Sequence, residues 1–263
     1  MEHWKLHILG SRGSRPAHGE AYREFGGATS CYVLKRGNHA VVLDCGTGLY
    51  NAGPLLVDCE TIDVLLTHVH YDHILGLLAP SVFPREARTR FYGTFERWHG
   101  DETFRHFLAR PYWPYTPELG ELVNMTSPGG RYLDENTFVR FWPSSHPDEA
   151  SILRIGTDEG AICMACDYEH GEPFRDDMAE DCSLLLYDAA YDDSEYEAHR
   201  GWGHSTWQEG VVLARRLGIP GLVLTHFAPE RTDAELRELE RRARQEYPGA
   251  RFARAGDVYE LGV

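Results

Sequence analysis

Residues 67–73 read Thr67-His68-Val69-His70-Tyr71-Asp72-His73, and no other stretch limits the possible folds as sharply. The apolar run over 62–66 reads as a strand, and 74–78 reads as the start of a helix. Three imidazoles and a carboxylate therefore sit where a buried strand ends. As packing alone the cluster is costly. Each buried ring needs partners for both nitrogens, and the carboxylate must be paired or protonated. A metal removes these costs together, because it takes neutral imidazole and ionised carboxylate as ligands. His68 and His70 are two apart and face one side of an extended backbone. Asp72 and His73 follow the turn and can serve a second centre, which predicts two metals.

The pattern returns along the chain. Alternation and apolar runs predict strands over 4–9, 31–34, 40–43, 138–142, 151–156, 160–165, 183–187 and 221–224. Hairpins turn around Arg36-Gly37-Asn38 and Asp158-Glu159-Gly160. Strand after strand stops near an acid or a histidine: Asp44, His146, Asp167, Asp188 and His226. Val223-Leu224-Thr225-His226 echoes Leu65-Leu66-Thr67-His68. Metal sites are built from scattered strand ends in this way. Gly10, Gly13, Gly26, Gly27, Gly46 and Gly48 read as tight turns and as places where backbone approaches a ligand.

Three helices are predicted. One spans 206–217, capped by Ser205 with Gln208 in the reciprocal position and Gly218 at its end. Another starts at Thr232 with Glu235, runs to about residue 245 and stops at Tyr247-Pro248-Gly249. A third covers 76–90, interrupted at Pro80 and Pro84. The aromatic stretches 91–98 and 104–115 can line a pocket, act as core or lid, or pack against a second subunit.

A chain of 263 residues without an evident linker is expected to form a single domain over 1–263, with a core large enough to need no disulfides. The six cysteines lie mostly in apolar runs and do not pair by spacing. Cys163 and Cys166 fall in a strand-like run that points them to opposite faces, which argues against a zinc knuckle. Free cysteines and the lack of a leader-like N-terminus point to the cytoplasm, and no stretch reaches membrane-spanning length. A formal net charge of −15 disfavours a broad nucleic-acid-binding face, but leaves room for a small anionic substrate held by metals.

Residues 67–73 carry an HxHxDH pattern, and Asp44 with Gly46 form an early Asp-x-Gly element. These motifs resemble the metallo-β-lactamase superfamily. Leu9-Gly10-Ser11-Arg12-Gly13-Ser14, Gly26-Gly27-Ala28-Thr29-Ser30-Cys31 and Gly201-Trp202-Gly203-His204-Ser205-Thr206 are similar to its phosphodiesterase branch, which includes ribonuclease Z and the enzymes that open cyclic phosphates and cyclic nucleotides. The resemblance implies an α+β fold, an αββα sandwich of two mixed sheets with helices outside. It implies two divalent ions, with His68, His70 and His146 at one, Asp72, His73 and His226 at the other, and Asp167 bridging. His-rich N/O donors suit Zn²⁺ best, and Mn²⁺ also fits.

The implied activity is a metal-dependent phosphodiesterase that hydrolyses a small cyclic phosphate or cyclic nucleotide with a hydroxide shared by the two metals. Asp72 and His204 are the catalytic candidates: Asp72 to orient or deprotonate water, His204 to bond a phosphoryl oxygen or protonate the leaving alkoxide. Asp188 is expected to support a ligand histidine, and Thr29 and Ser30 to touch substrate. His39, His99, His106 and His170 are read as structural or exposed. A homodimer is the habit of this branch. The alternative is a tRNA 3′-processing nuclease like ribonuclease Z, disfavoured by an aromatic and acidic stretch over 99–130 where that enzyme carries a basic, glycine- and proline-rich arm.

Overall fold

The computed structural model describes residues 2–98, 100–114, 117–169 and 174–262. His99, Tyr115 and His170 lie outside the described residues. Among the described residues, two seven-stranded mixed sheets pack face to face. The first holds β1 (Lys5–Gly10), β2 (Cys31–Arg36), β3 (His39–Leu43), β4 (Thr61–Leu65), β5 (Arg88–Gly93) and β6 (Glu121–Asn124). The second holds β7 (Gly129–Tyr132), β8 (Phe138–Pro143), β9 (Ser151–Thr157), β10 (Gly160–Ala165), β11 (Cys182–Asp188), β12 (Gly221–Thr225) and β13 (Ala250–Phe252). The chain returns to the first sheet as β14 (Val258–Glu260), antiparallel to β1.

Side chains alternate along each strand, so one strand serves two layers. In β3, Val41 and Leu43 join the core between the sheets, while Ala40 and Val42 join the outer layer with Leu49, Leu56 and Leu77. On the outer side of the second sheet lie α5 (Trp207–Leu217) and α6 (Asp233–Glu246), which pack on β11, β12 and β13. The result is the expected αββα sandwich. Shorter helices complete it: α1 (Gly53–Leu56), α2 (Tyr71–Ile74), α3 (Asp101–Phe107) and α4 (Asp193–Tyr196). No helix among the described residues is long and apolar enough to cross a membrane.

Strand direction places the site. In the first sheet β3, β4 and β5 run parallel, and in the second β10, β11 and β12 do. β8 is antiparallel to β9, which is antiparallel to β10, so β8 also ends at the same edge as β10. Parallel strands deliver their C-terminal ends to one rim. There the Ser151 backbone N–H donates to the Thr67 carbonyl across the two sheets at 3.0 Å.

Several local expectations change. Thr206, not Ser205, caps α5, accepting from the Glu209 N–H. The Ser205 hydroxyl instead pairs with that of Tyr187 at 2.9 Å. Gly218 ends the helix at φ 67°, a left-handed position that suits glycine. The helix expected over 76–90 is only α2 followed by 3₁₀ turns at Leu75–Leu78 and Pro80–Val82. The prolines remove N–H donors and restrict the residues before them, and the chain then enters β5 beside β4. All six cysteines are buried and free. Burial pushes the Cys163 and Cys166 thiols up, so neither offers a thiolate to zinc at neutral pH. His39 is structural: its ring lies between Asp63 at 2.8 Å and Asp134 at 3.0 Å.

Glu240 ties α6 to β13. Its carboxylate accepts from the Phe252 N–H at 3.0 Å and from Arg254 at 2.7 and 3.1 Å. Burial opposes its charge, yet these donors hold its pKa below the ordinary 4.5. A depressed carboxylate stabilises the fold above its unfolded pKa, and that stabilisation is lost as pH falls through the lower folded value. Glu240→Gln is expected to cost about 2 kcal/mol at pH 7. Denaturation curves at descending pH should show the gap narrowing below pH 4.5; a gap that widens there would refute the pairing.

Candidate metal centre

Each candidate ligand lies just past a strand of this rim. His68 follows β4, His70 precedes α2, and Asp72 and His73 lie in its single turn. His146 follows β8, Asp167 follows β10 and His226 follows β12. Asp167 and His226 sit at φ 52° and 59°, and Asp44 after β3 at 56°. This left-handed backbone turns the side chain out of the strand's alternation and is tolerated best by Asp, Asn and His.

Four of these residues converge tightly. The Nε2 atom of His73 lies 3.1 Å from Asp167 Oδ2, 3.3 Å from Asp72 Oδ2 and 3.3 Å from His226 Nε2. His226 Nε2 lies 3.3 Å from the same oxygens of Asp72 and Asp167. A tetrahedral ion with bonds of about 2.0 Å has donor-to-donor edges of about 3.3 Å, so this quartet is spaced as a zinc shell. Donor atoms of His68, His70 and His146 form a second, looser group within 4.8 Å of one another. The other oxygen of Asp167 faces that group, 3.8 Å from His68 Nε2 and 3.7 Å from His146 Nε2. Asp167 thus lies between the two groups. His68 Nε2 is wholly buried and finds no hydrogen-bond partner, as a ligand nitrogen aimed at an ion does. The residues present fit a pair of divalent ions.

The ligand rings are held from behind. His73 Nδ1–H donates to Asp44 Oδ2 at 2.8 Å. His68 Nδ1 lies 3.1 Å from the Thr67 hydroxyl, which donates to the same carboxylate at 2.9 Å. Asp44 therefore fixes two tautomers and leaves both Nε2 atoms facing the centre. His70 Nε2 lies 2.9 Å from Asp148 Oδ2, which leaves Nδ1 free. The Ser14 backbone N–H donates to Asp72 Oδ2 at 2.6 Å. Gly13 makes that approach possible, since a Cβ there would lie 2.5 Å from the His226 ring.

Charge states follow from this packing. Burial keeps His146 neutral, with its pKa lowered to about 4, and burial with neighbouring imidazoles holds His68 well below the ordinary value. Burial works against the charges of Asp72 and Asp167, but the surrounding histidines hold both carboxylates well below the usual range. Those carboxylates in turn overcome burial and push His73 well above, and His226 above, the ordinary imidazole value, so both must give up a proton to take an ion, because neutral imidazole and ionised carboxylate are the forms that bind metal.

His204 stands at the edge of this cluster. Its Nδ1–H donates to Asp188 Oδ2 at 3.0 Å, and Nδ1 lies 3.9 Å from Asp167 Oδ1. Burial disfavours its charge, but Asp188 outweighs that and raises its pKa to about 9. Asp188 also accepts from the N–H groups of Asp167, Ala190 and Ser205, and lies 3.4 Å from His226 Nδ1. The expectation that Asp188 supports a ligand histidine changes: its hydrogen bond goes to His204, and His226 Nδ1 makes none. Glu169 fixes the loop before His204 by accepting from the N–H groups of Gly201 at 3.0 Å and Gly203 at 2.6 Å. A Cβ on Gly203 would lie 2.3 Å from the His146 ring.

A family profile described as "Beta-lactamase superfamily domain" matches residues 39–227, more than half of the chain. The chain belongs to the metallo-β-lactamase superfamily. Within this superfamily it is 24% identical to the probable metallo-hydrolase YhfI of Bacillus subtilis, over 85% of this chain and 86% of that protein. It is 26% identical to a ribonuclease Z of Streptomyces avermitilis, over 81% and 85% of the two chains. The solved structure of YhfI superposes with a TM-score of 0.74 at 19% identity, covering 99% of this chain and 100% of the other. A diphosphatase of the PhnP family superposes with a TM-score of 0.71 at 20% identity, covering 100% and 99%. Membership and the clustered His and Asp groups together support metal-dependent hydrolase activity.

All seven residues predicted as ligands come together here, as do Asp188 and His204. Thr29 and Ser30 are both fully buried; Thr29 lies behind the wall of a cleft beside Asp72, and its hydroxyl is taken up by the Thr47 N–H at 2.8 Å. The sequence reading gave no role to Asp148 or Glu169. A signal was present: each is a carboxylate two residues beyond a candidate ligand, in His146-Pro147-Asp148 and Asp167-Tyr168-Glu169. Asp44 was noticed as part of a motif, but its task appears only in space. Asp44→Asn is expected to weaken retention of divalent metal by about 10–100-fold. Elemental analysis after dialysis against graded chelator checks this; unchanged retention would remove Asp44 from the centre.

Proposed function

We propose that this protein is a metal-dependent phosphodiesterase acting on a small cyclic phosphate or cyclic nucleotide. The observation that carries the reading is His204. An imidazole whose Nδ1–H donates to Asp188 adjoins the two ligand groups on either side of Asp167, in a pocket of about 340 Å³ that also includes His70, Asp72, His146 and Asp167. Such a site joins ligands for two ions to a proton donor for a poor leaving group.

His68, His70 and His146 would hold one ion, Asp72, His73 and His226 the other, with Asp167 shared. We favour zinc, because the spacing around His73 matches tetrahedral N/O coordination. Bound there, the ions would supply Lewis acidity toward phosphoryl oxygens and lower the pKa of water. Asp72, held by the Ser14 N–H, orients the attacking water. In hydrolysis the water gives one proton by way of Asp72 to solvent as its oxygen joins phosphorus, the ester P–O bond breaks, and the departing oxygen takes a proton from His204. Asp188 holds the Nδ1–H of His204 throughout and favours its return to the charged form by uptake of a proton from solvent.

A nuclease like ribonuclease Z is the second reading, favoured by the relative from Streptomyces avermitilis. The net charge of −15 opposes it, since a long polyanion gains from surplus Lys and Arg.

The test is a panel of 2′,3′- and 3′,5′-cyclic nucleotides with zinc- or manganese-loaded protein and a chelated control. Chelator-sensitive ring opening is expected. His204→Ala should lower turnover by roughly 100-fold with metal content unchanged. A p-nitrophenyl leaving group, which departs unaided, should largely escape that loss. Cleavage of precursor tRNA with no ring opening would favour the second reading, and an equal loss on both substrate types would remove His204 as the acid.

A further inference from the structure

A cleft of about 410 Å³ opens beside the metal centre and shares Ser14, Tyr71 and Asp72 with the pocket above it. Its walls are mostly apolar: Ile74, Leu75 and Leu78 from one side, Phe107, Leu108 and Tyr112 from the other. Tyr71 and Tyr112 remain more than half exposed, at 54% and 59%. Neither ring is stacked face to face on an aromatic neighbour, and His106 meets Tyr112 at 89° with centroids 5.4 Å apart. Tyr71 meets Phe107 edge-on with centroids 6.4 Å apart, and Phe107 lies 6.2 Å from Tyr112 at 38°. Open aromatic faces beside a strongly polar centre are costly to hydrate and useful for stacking a planar ring.

The opposite flank, beyond His204, is different. A cleft of about 490 Å³ there is lined by charged groups that already have partners and by Tyr191, His199 and Trp202. Glu195 takes part in the capping box of α4 and pairs with Arg231, and Glu235 forms the capping box of α6. Arg15 pairs with Glu230 at 2.5 Å. Tyr191 and His199 stack on each other with centroids 4.1 Å apart, which leaves Trp202 as the one open ring among the described residues of that flank, against the facing pair Tyr71 and Tyr112 on the Asp72 side.

We infer that the cleft between Tyr71, Phe107 and Tyr112 binds a planar ring of the substrate, so the substrate is a nucleobase-bearing phosphodiester and not a bare cyclic sugar phosphate. This rests on the phosphodiesterase reading and narrows it. With the base in this cleft, phosphorus comes to lie between Asp72 and His204. The aromatic stretch over 104–112 then acts in its own chain as the wall of a specificity pocket.

The experiment compares two substrates with the same reacting ring, adenosine 2′,3′-cyclic phosphate and 1-O-methylribose 2′,3′-cyclic phosphate, on the zinc-loaded protein. The base should raise kcat/KM about tenfold or more, mainly through KM. Tyr112→Ala and Tyr71→Ala change exposed side chains and should fold. Each should bring down the ratio of the two specificity constants by about tenfold. Calorimetry with adenosine 3′-phosphate and ribose 3′-phosphate should show the same preference and the same loss. Bis(p-nitrophenyl) phosphate separates the two claims. If neither it nor the cyclic pair is hydrolysed by metal-loaded protein, the phosphodiesterase reading fails. If diesters are hydrolysed but base-bearing and abasic substrates are treated alike, or the ratio survives both substitutions, the ring subsite is wrong.

Discussion

A carboxylate buried between two sheets cannot stand alone. Asp167 is 1% exposed, and its ionised form needs positive partners to offset several kcal/mol of lost hydration. Imidazoles surround it, and those of His73 and His226, whose pKa values are pushed up against burial by its charge and that of Asp72, are the ones able to carry the positive charge. His73 and His226 approach one oxygen, His68 and His146 the other. Its backbone N–H is spent on Asp188, the residue that also orients His204. One residue therefore links both ligand groups to His204. Moving Asp167 would disturb both groups and His204 together.

The backbone carries part of that load. Asp44, Asp167 and His226 each leave a strand with φ between 52° and 59°. Such conformations cost about 1–3 kcal/mol each in ordinary residues and persist only where the neighbourhood holds them. Here the parallel strands do so. Their registers fix where each chain exits, with Leu43 beside Leu65 and Ala165 beside Tyr187. A left-handed exit then swings the side chain into the gap between the sheets. The strain buys convergence, because an extended exit would send alternate side chains to opposite faces.

Much of this was legible in the sequence. The apolar runs and the polar residues ending them located β3, β4, β8, β10, β11 and β12 and the rim they share. Local chemistry was read correctly where it depends on a few neighbours, as with the Thr232–Glu235 capping box of α6. It failed where tertiary partners decide. Ser205 looks as good a cap as Thr206 until Tyr187 claims its hydroxyl. Residues 76–90 carry apolar side chains at helical spacing, yet prolines and the pull of pairing with β4 draw residues 88–90 into a strand. The short β13 and β14 have too little pattern to stand out, and exist because α6 and β1 give them partners. Asp44, Asp148 and Glu169 support the site across 23 to 78 residues of sequence: Thr67 lies 23 from Asp44, Gly201 32 from Glu169 and His70 78 from Asp148. No spacing rule reaches that far.

An acidic chain that binds an anion needs its charges separated by distance. The formal charge of −15 is the surplus left after one-to-one surface pairs such as Glu20–Arg23, Glu197–Arg200 and Glu238–Arg241 cancel. Exposed charges are screened over about 8–10 Å at physiological salt. The centre is different. Two divalent ions would bring four positive charges against the carboxylates of Asp72 and Asp167, with neutral His68 and His146 adding none. Buried groups are screened far less, so a phosphodiester at the rim would meet a local positive field despite the acidic surface. On the phosphodiesterase proposal, a compact anion would lie inside that field, whereas a long polyanion would also have to extend over an exterior of net negative charge.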